Sequence, residues 1–216
     1  MITFYCGSGS PYAWRVWLAL EHKQVPYDLE MLSFSAGDLK KPAFVALNPR
    51  CRVPILVEDG FVVYESAAIV EYIEDRFPLP APRLFPAGVR ERASARRLIR
   101  ETDEYLARAL ESVLDEVLFK PRERWDEAAI GKVRAHFIGE LDRFENYVPR
   151  EGFLVDVVGA ADYALYPLIA LALRLDRLKP DIAIRPTVGA KLSAWMRRVE
   201  ALPYFAKTYP PHWKDA

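Results

Sequence analysis

Ser10 stands directly before Pro11, where the sequence predicts the start of a helix. Because proline is favoured at the first helical position, Ser10 is expected to be the N-cap, at the positive end of the helix dipole. Redox enzymes often carry a Cys-Pro-x-Cys sequence at such a helix start, but the matching positions here hold Ser10 and Ala13. The loop can therefore offer a hydroxyl hydrogen bond, and it supplies no sulfur of its own.

Two further motifs could bind a ligand. Ser66 is predicted to be the N-cap of a helix, with Glu65 as a solvated acid before it. The free N–H groups and the dipole of a helix N-terminus bind carboxylates, so this pair predicts a carboxylate site. Val53-Pro54, taken from the residues alone, is a proline at the start of a strand, where its missing N–H does no harm.

Other reactive side chains are few and scattered. The two cysteines, Cys6 and Cys51, have no partner at CxxC spacing, and we expect both to be reduced and packed. The three histidines, His22, His136 and His212, lie far apart with no helical pairing. Neither a metal site nor a Cys-His dyad is therefore expected.

The charge balance excludes several kinds of partner. Thirty acidic and thirty basic side chains give a formal net charge of zero, so binding to nucleic acid or to an anionic membrane is not expected. The first residues lack a basic region followed by a long apolar run, so no secretion signal is expected. The most apolar later run, residues 163–173, contains Pro167 and is shorter than the roughly 20 residues of a membrane span. We expect a soluble, cytoplasmic protein.

The first eighty residues alternate between strand and helix signals. The predicted strands cover 2–6, 27–31, 53–58 and 60–64, and the predicted helices cover 11–23, 36–47 and 66–76. Asp59-Gly60 joins the last two strands and is a strong hairpin signal. The order βαβ, helix, ββα matches a thioredoxin-like fold with the hairpin at one edge.

After this unit the pattern changes. Four prolines within residues 77–88 indicate a linker, and the strand signal then disappears. The later segments predicted as helices are 89–119, 122–147, 160–175 and 187–202. The sequence therefore predicts an α/β plus all-α protein: a thioredoxin-like domain over 1–78, a linker over 79–88 and an all-helical domain over 89–216.

Three stretches of the first half, SPYAWRVWLAL (10–20), NPRCRVPIL (48–56) and YESAAIVEYIEDRFP (64–78), together resemble the cytosolic glutathione transferase superfamily. The resemblance continues past the linker to FLVDVVGAADYALYPLIA (153–170), which resembles the start of the central helix of the helical domain. It implies an enzyme that binds glutathione as co-substrate, conjugates it to a small electrophile and forms a homodimer.

The resemblance also implies a role for each motif. Pro54 would be cis, so that Val53 pairs its main chain with the cysteinyl part of glutathione. Ser66 would bind the γ-glutamyl carboxylate, and Glu65 would face the γ-glutamyl ammonium. Ser10 would donate a hydrogen bond to the thiolate and so lower the pKa of the thiol.

The sequence does not decide which side chain would donate the hydrogen bond to the thiolate. The shared Trp-Arg-Val at 14–16 supports Ser10, as in serine-type members of the superfamily. Ser8 and Tyr12 are alternatives, and so is Tyr5, because other classes use a tyrosine near the end of the first strand.

Two other parts of the site follow from the resemblance. Members similar to the plant tau class place basic residues that correspond to Lys40 and Arg52, which would bind the glycyl carboxylate, whereas Lys41 is expected to be an ordinary surface charge. The electrophile pocket would lie between the domains. Its candidate lining residues are Tyr12, Tyr105, Arg108 and Phe119, with Tyr163 and Trp213 behind them.

The sequence departs from the superfamily pattern at the central helix. This helix usually begins Ser/Thr-x-x-Asp, and here Gly159 replaces the hydroxyl residue three positions before Asp162. Glycine brings no side-chain oxygen, so a weaker folding device without catalytic loss is expected.

Three other function classes compete with the transferase. A glutathione-dependent isomerase of the zeta type (maleylacetoacetate isomerase) shares the Ser-x-x-x-Trp-Arg-Val register but normally carries Ser-Cys at the positions of Pro11 and Tyr12. A disulfide reductase needs a cysteine at position 10. A non-catalytic scaffold would be expected to lose Glu65-Ser66 or the Val53-Pro54 motif, and both are present.

Overall fold

A computed structural model describes residues 1–78 and 80–213. Position 79 of the predicted linker and positions 214–216 of the predicted helical domain lie outside these residues. The strands are β1 (Ile2–Gly7), β2 (Asp28–Leu32), β3 (Ile55–Glu58) and β4 (Phe61–Tyr64). The α-helices are α1 (Pro11–Lys23), α2 (Pro42–Leu47), α3 (Ser66–Arg76), α4 (Val89–Glu101), α5 (Ala107–Val117), α6 (Glu127–Tyr147), α7 (Ala160–Leu178), α8 (Ala190–Glu200) and α9 (Phe205–Thr208).

Four strands of the described residues form one mixed sheet in the order β2-β1-β3-β4. β1 runs parallel to β2 and antiparallel to β3, and β3 pairs with β4 in an antiparallel hairpin. The hairpin turn has positive φ at both central residues, 49° at Asp59 and 86° at Gly60, as a tight hairpin requires. The thioredoxin-like order with its hairpin at one edge is confirmed.

The strand register brings four loops to one edge of the sheet. Gly7 at the end of β1 pairs with Leu32 at the end of β2. Ile55 at the start of β3 pairs with Tyr5 on one side and with Tyr64, the last residue of β4, on the other. The segments that follow β1, β2 and β4 therefore start beside the segment that leads into β3.

α1 and α3 have the bounds that the sequence predicts. Every residue from Ala13 to Leu20 is buried, because α1 packs on both the sheet and α3. The helix ends at Gln24, which adopts the left-handed conformation with φ 55° and donates its N–H to the Glu21 carbonyl. β2 begins and ends one residue later than the predicted strand over 27–31, and its residues 28–31 are exposed at the sheet edge.

The predicted helix over 89–119 is interrupted. A π-helical turn, Thr102–Leu106, separates α4 from α5, and α5 ends at Val117. Within this turn the Ala107 N–H donates to the Thr102 carbonyl, five residues back. Hydrophobic periodicity carries no signal for such an inserted residue.

Contacts divide the chain into two compact units. The first unit comprises Met1–Ala87 together with Leu202–Ala216, and the helical unit comprises Gly88–Ala201. The last segment of the chain thus groups with the sheet, although chain order predicts it in the helical region. In the described part of the chain, no helix is both long and apolar enough to cross a bilayer.

Candidate functional site

Ser10 caps the first helix. Its backbone is extended (φ −70°, ψ 120°), and its Oγ accepts a hydrogen bond from the Ala13 N–H at 3.3 Å. The Ser10 N–H donates to the Gly7 carbonyl at 3.0 Å, so a tight turn joins β1 to α1. Because the hydroxyl acts as an acceptor in the cap, its own proton can be donated to a ligand.

The alternative hydroxyls have other contacts. Ser8 Oγ lies 2.6 Å from Nδ1 of His212. The Tyr5 ring packs edge-on against Phe44, with centroids 6.4 Å apart. The Tyr12 ring lies 5.7 Å from the guanidinium carbon of Arg15.

Of the two cysteines, Cys6 is poorly suited to act as a nucleophile. Cys6 lies in β1 with 2% of its surface exposed, and burial raises the pKa of its thiol to about 12. Cys51 is partly exposed and follows Asn48-Pro49-Arg50 in the loop before β3. Both cysteines are free thiols, as the sequence predicts.

The Val53–Pro54 peptide bond is cis, as the resemblance implied. Val53 is buried and lies against the end of β1: a Cβ added at Gly7 would come within 2.9 Å of Val53 Cγ2 and 2.5 Å of Phe34 Cζ. Glycine at position 7 therefore allows the segment before β3 to approach the turn that carries Ser10.

Ser66 is the first residue of α3 rather than its N-cap. Glu65 holds the N-cap position, and its carbonyl accepts the Ile69 N–H at 2.9 Å. The prediction that Ser66 is the N-cap is therefore wrong by one position, because Glu65 is the N-cap residue in the turn after β4. Ser66 is buried, and its Oγ accepts a hydrogen bond from Arg15 Nη1 at 3.2 Å.

Glu65 has a backbone conformation that side chains other than glycine rarely adopt. Its φ is 73° and its ψ is 109°, and its side chain is exposed. Such conformations cost on the order of 1–3 kcal/mol and occur preferentially at functional sites.

The basic residues predicted for the glycyl carboxylate lie in the loops at the same sheet edge. Lys40 ends a short 3₁₀ turn, Asp38–Lys40, and its side chain is exposed. Arg52 is exposed, and its carbonyl accepts the side-chain amide of Asn48 at 2.9 Å. Lys41 forms an ion pair with Asp38 at 2.7 Å, in line with its expected surface role.

Three of the residues predicted to line the electrophile pocket belong to the helical unit, where their side chains are exposed in or near α5. Tyr105 is 59% exposed in the π-helical turn and lines a cavity of about 630 Å³ between α4 and α6. Arg108 forms an ion pair with Glu104, which also pairs with Arg100 at 2.6 Å. Phe119 is 71% exposed just beyond α5.

The two residues placed behind that pocket belong to cores. Tyr163 is completely buried within α7 of the helical unit. Trp213 is buried in the first unit, where its ring packs edge-on against Trp14 at 5.5 Å.

Sequence reasoning missed two residues at this sheet edge, Arg15 and His212. Arg15 was considered only as part of the Trp-Arg-Val motif at 14–16. A charged residue between apolar Trp14 and Val16 nevertheless indicates a buried side chain that needs a polar partner. His212 lies 204 residues from Ser8 in the chain, so no local pattern could have linked them.

Comparisons with known proteins agree with this geometry. A family profile described as Glutathione S-transferase, N-terminal domain, matches residues 9–76. Glutathione S-transferase A of Pleuronectes platessa is 26% identical over 219 residues, covering 100% of this chain and 94% of that protein. Maleylacetoacetate isomerase of Mus musculus is 29% identical over 187 residues, covering 83% of this chain and 81% of that protein. The crystal structure of a glutathione S-transferase from the Antarctic clam Laternula elliptica superposes with a TM-score of 0.82 at 28% identity, covering 100% of this chain and 94% of that chain.

The structural match to the clam protein extends over the whole chain and confirms the fold class, a thioredoxin-like domain followed by a helical domain. Residues 9–76 match the N-terminal domain of glutathione S-transferases, and the whole chain is similar in sequence and fold to members of the cytosolic glutathione transferase superfamily.

Proposed function

We propose that this chain, an enzyme of the glutathione transferase superfamily, binds glutathione at the sheet edge and conjugates its thiolate to small electrophiles. The observation that carries the proposal is the position of Ser10. Its hydroxyl accepts the Ala13 N–H at the start of α1, in the turn that lies beside Val53–Pro54. Ser10 can thus donate its proton to a thiolate held next to this helix start.

Binding of the γ-glutamyl end would use the start of α3. A carboxylate there meets the free N–H groups of the first turn and the positive end of the helix dipole. Ser66 adds a hydroxyl, and the buried guanidinium of Arg15, 3.2 Å from that hydroxyl, adds positive charge. Glu65 is exposed beside the same helix start, where its carboxylate can face the γ-glutamyl ammonium.

The rest of the tripeptide would follow the sheet edge. The backbone of Val53 would pair with the cysteinyl unit, as in an added strand. Lys40 and Arg52 would provide the cations for the glycyl carboxylate. Lys41 is less suited to this role because Asp38 already neutralises it.

The chemical step needs a thiolate, and a free thiol with a pKa of about 8.5 is mostly protonated at neutral pH. A hydrogen bond from the Ser10 hydroxyl and the dipole of α1 both favour the charged form and lower that pKa. The sulfur lone pair then forms a C–S bond with the electrophile. The displaced leaving group departs with the bonding electrons, or, in an addition, the substrate takes up a proton from water.

The contacts of the electrophile and the assembly follow from the superfamily. Tyr12, Tyr105, Arg108 and Phe119 remain the proposed contacts of the electrophile. A homodimer and a cytoplasmic location are proposed on the same basis.

A second candidate is a glutathione-dependent isomerase of the zeta type. It is favoured by the 29% identity with the mouse maleylacetoacetate isomerase. In that reaction the same thiolate would add to the substrate and leave again after bond rotation. Pro11 and Tyr12, in place of the Ser-Cys of that class, argue for the transferase.

The test is the pKa of the bound thiol. Ser10→Ala should raise the pKa of the glutathione thiol by roughly one unit while changing the Kd of glutathione by less than about threefold, since one hydrogen bond to the charged form is lost. The measurement is the ultraviolet absorbance of the thiolate across pH in the wild type and in Ser10→Ala. Equal thiol pKa values in the two proteins would contradict the proposed role of Ser10, and a wild type that does not bind glutathione would favour the scaffold.

A further inference from the structure

The C-terminal segment, Phe205–Trp213, packs on the first turns of α1. Trp14 donates its indole N–H to Thr208 Oγ1 at 2.9 Å, and both side chains are buried. The ring of Trp14 also meets Tyr209 and Trp213 edge-on, at centroid distances of 5.7 and 5.5 Å. These contacts hold the segment against the helix that begins at Ser10.

His212 extends from this segment to the loop before the helix. Its Nδ1 lies 2.6 Å from Ser8 Oγ, within hydrogen-bond distance. A Cβ added at Gly9 would lie 2.7 Å from Cε1 of His212 and 3.0 Å from Nε1 of Trp213. Gly9 also has φ +81°, so both its conformation and its close contact with the segment require glycine.

The position of Ser10 depends on the turn that His212 contacts. Ser8 and Gly9 are the two central residues of the turn closed by the Ser10 N–H and the Gly7 carbonyl. With Gly7 fixed in β1 and Ser10 fixed in the cap, the remaining freedom of the turn lies at Ser8 and Gly9. Both of these residues contact His212.

We propose that His212 is a positioning residue of the thiol-activating loop: through Ser8 it fixes the turn that aims the Ser10 hydroxyl at the glutathione sulfur. The inference rests on the proposed function. In this arrangement Ser8 is the hydrogen-bond partner of His212, and Ser10 remains the side chain that donates a hydrogen bond to the glutathione sulfur. Trp14, Thr208 and Trp213 hold the C-terminal segment against α1. The position of the segment therefore does not depend on the His212–Ser8 hydrogen bond.

Exposure and geometry favour a positioning role for His212. The Ser8–His212 hydrogen bond is exposed to solvent, where a hydrogen bond adds little to stability. A thiol donor, in contrast, must be held within a narrow range of distance and direction, because small misplacements cost catalysis far more than they cost folding.

Matched variants separate the hydrogen bond from the ring. His212→Phe keeps a ring against Gly9 and Trp213 but removes Nδ1, whereas His212→Asn keeps a polar atom near the position of Nδ1. Ser8→Ala removes the other partner, and Ser8→Ala/His212→Phe tests whether the two act together. Each protein is assayed with glutathione and chlorodinitrobenzene, and thiolate absorbance gives the thiol pKa.

We expect His212→Phe and Ser8→Ala each to lower kcat roughly fivefold and to raise the bound thiol pKa by about half a unit, with KM for glutathione within about twofold. His212→Asn should retain most of the wild-type kcat. The double variant should be no worse than either single variant, since both remove the same contact.

The inference is overturned if His212→Phe leaves kcat and the thiol pKa unchanged, or if the losses in the double variant are additive. Ser10→Ala, measured in parallel, tests the proposed function separately. If Ser10→Ala shifts the thiol pKa while the His212 variants do not, only the positioning role fails. If Ser10→Ala causes no shift, the proposed function itself fails.

Discussion

Glu65 links the end of β4 to the start of α3 through a left-handed backbone, with φ 73° and ψ 109°. A Cβ in this conformation is unfavourable, and glycine would adopt it readily. The chain nevertheless carries a glutamate, with its carboxylate exposed beside Ser66. The acidic side chain at this unfavourable backbone position supports the proposal that Glu65 binds the γ-glutamyl ammonium.

Comparison of Glu65→Ala with Glu65→Gly tests this interpretation. Both variants lose the carboxylate, and only the alanine retains a Cβ. We expect Glu65→Gly to be more stable than Glu65→Ala by about 1 kcal/mol in urea unfolding. Both should weaken the binding of glutathione by a similar factor, roughly tenfold in Kd, as a charged hydrogen-bond acceptor is lost.

Equal stability of the two variants would show that the left-handed conformation costs nothing in solution. Unequal affinities would show that the Cβ, rather than the carboxylate, sets the binding.

Among the elements, the start of α7 depends on one buried carboxylate. Asp162 is completely buried and accepts hydrogen bonds from the Gly159 N–H (3.0 Å), the Leu154 N–H (3.1 Å) and Trp195 Nε1 (2.7 Å). The weaker capping expected from Gly159 is offset by these additional donors. Burial raises the pKa of Asp162 from 3.8 to about 6, although the hydrogen bonds oppose this shift.

This raised pKa predicts a pH dependence of stability. The folded carboxyl keeps its proton up to about pH 6, whereas the carboxyl of the unfolded chain releases it near the ordinary aspartate pKa of 3.8. The contribution of Asp162 to the free energy of unfolding is therefore fully present below about pH 4, and it declines as the pH rises to about 6. The free energy of unfolding of the wild type, minus that of Asp162→Asn, should fall by roughly 2–3 kcal/mol across this window.

Urea unfolding of both proteins at a series of pH values measures this difference. Asp126→Asn is the matched control, because Asp126 caps α6 through the N–H groups of Ala128 and Ala129 at an exposed position. If the difference for Asp162→Asn is flat between about pH 4 and pH 6, the carboxyl is ionised in the folded protein throughout.

At the scale of the whole molecule, a buried ion pair joins α1 to α3, and both of its side chains also bond to the segment after α3. Lys23 Nζ lies 2.7 Å from Glu74 Oε2, and both side chains are almost fully buried. Lys23 also donates to the Phe77 carbonyl at 2.6 Å, and the Leu84 N–H donates to Glu74 at 2.9 Å. The start of the proline-rich segment and Leu84 are therefore held to α1 and α3 within the first unit.

Lys23→Met should lower the free energy of unfolding by about 3–5 kcal/mol, because it leaves the Glu74 carboxylate buried without its cation. Arg100→Met is the control, since Arg100 pairs with Glu104 at a side-chain exposure of 68% and should cost less than about 1 kcal/mol. Chemical denaturation of the two variants checks the prediction. Similar losses would mean that the Lys23–Glu74 pair is as solvated as a surface pair.

The sequence predicted the elements where local chemistry dominates. Pro11 after Ser10 fixed the start of α1, and Asp59-Gly60 fixed the hairpin, because proline and glycine restrict the backbone whatever surrounds them. The cap at Ser66 was placed one residue late, since a positive φ at Glu65 has no signature in a non-glycine residue. The π-helical turn around Tyr105 was missed for a similar reason, as the apolar pattern continues across it.

The sequence by itself determined the fold class and the start of α1, because these depend on short-range patterns. It also predicted the helix starts at which glutathione is proposed to bind. Only the tertiary structure decided which side chains meet. It brought Arg15 to Ser66 and His212 to Ser8, across 51 and 204 residues of chain. Such contacts follow from packing and strand register, which no local pattern encodes.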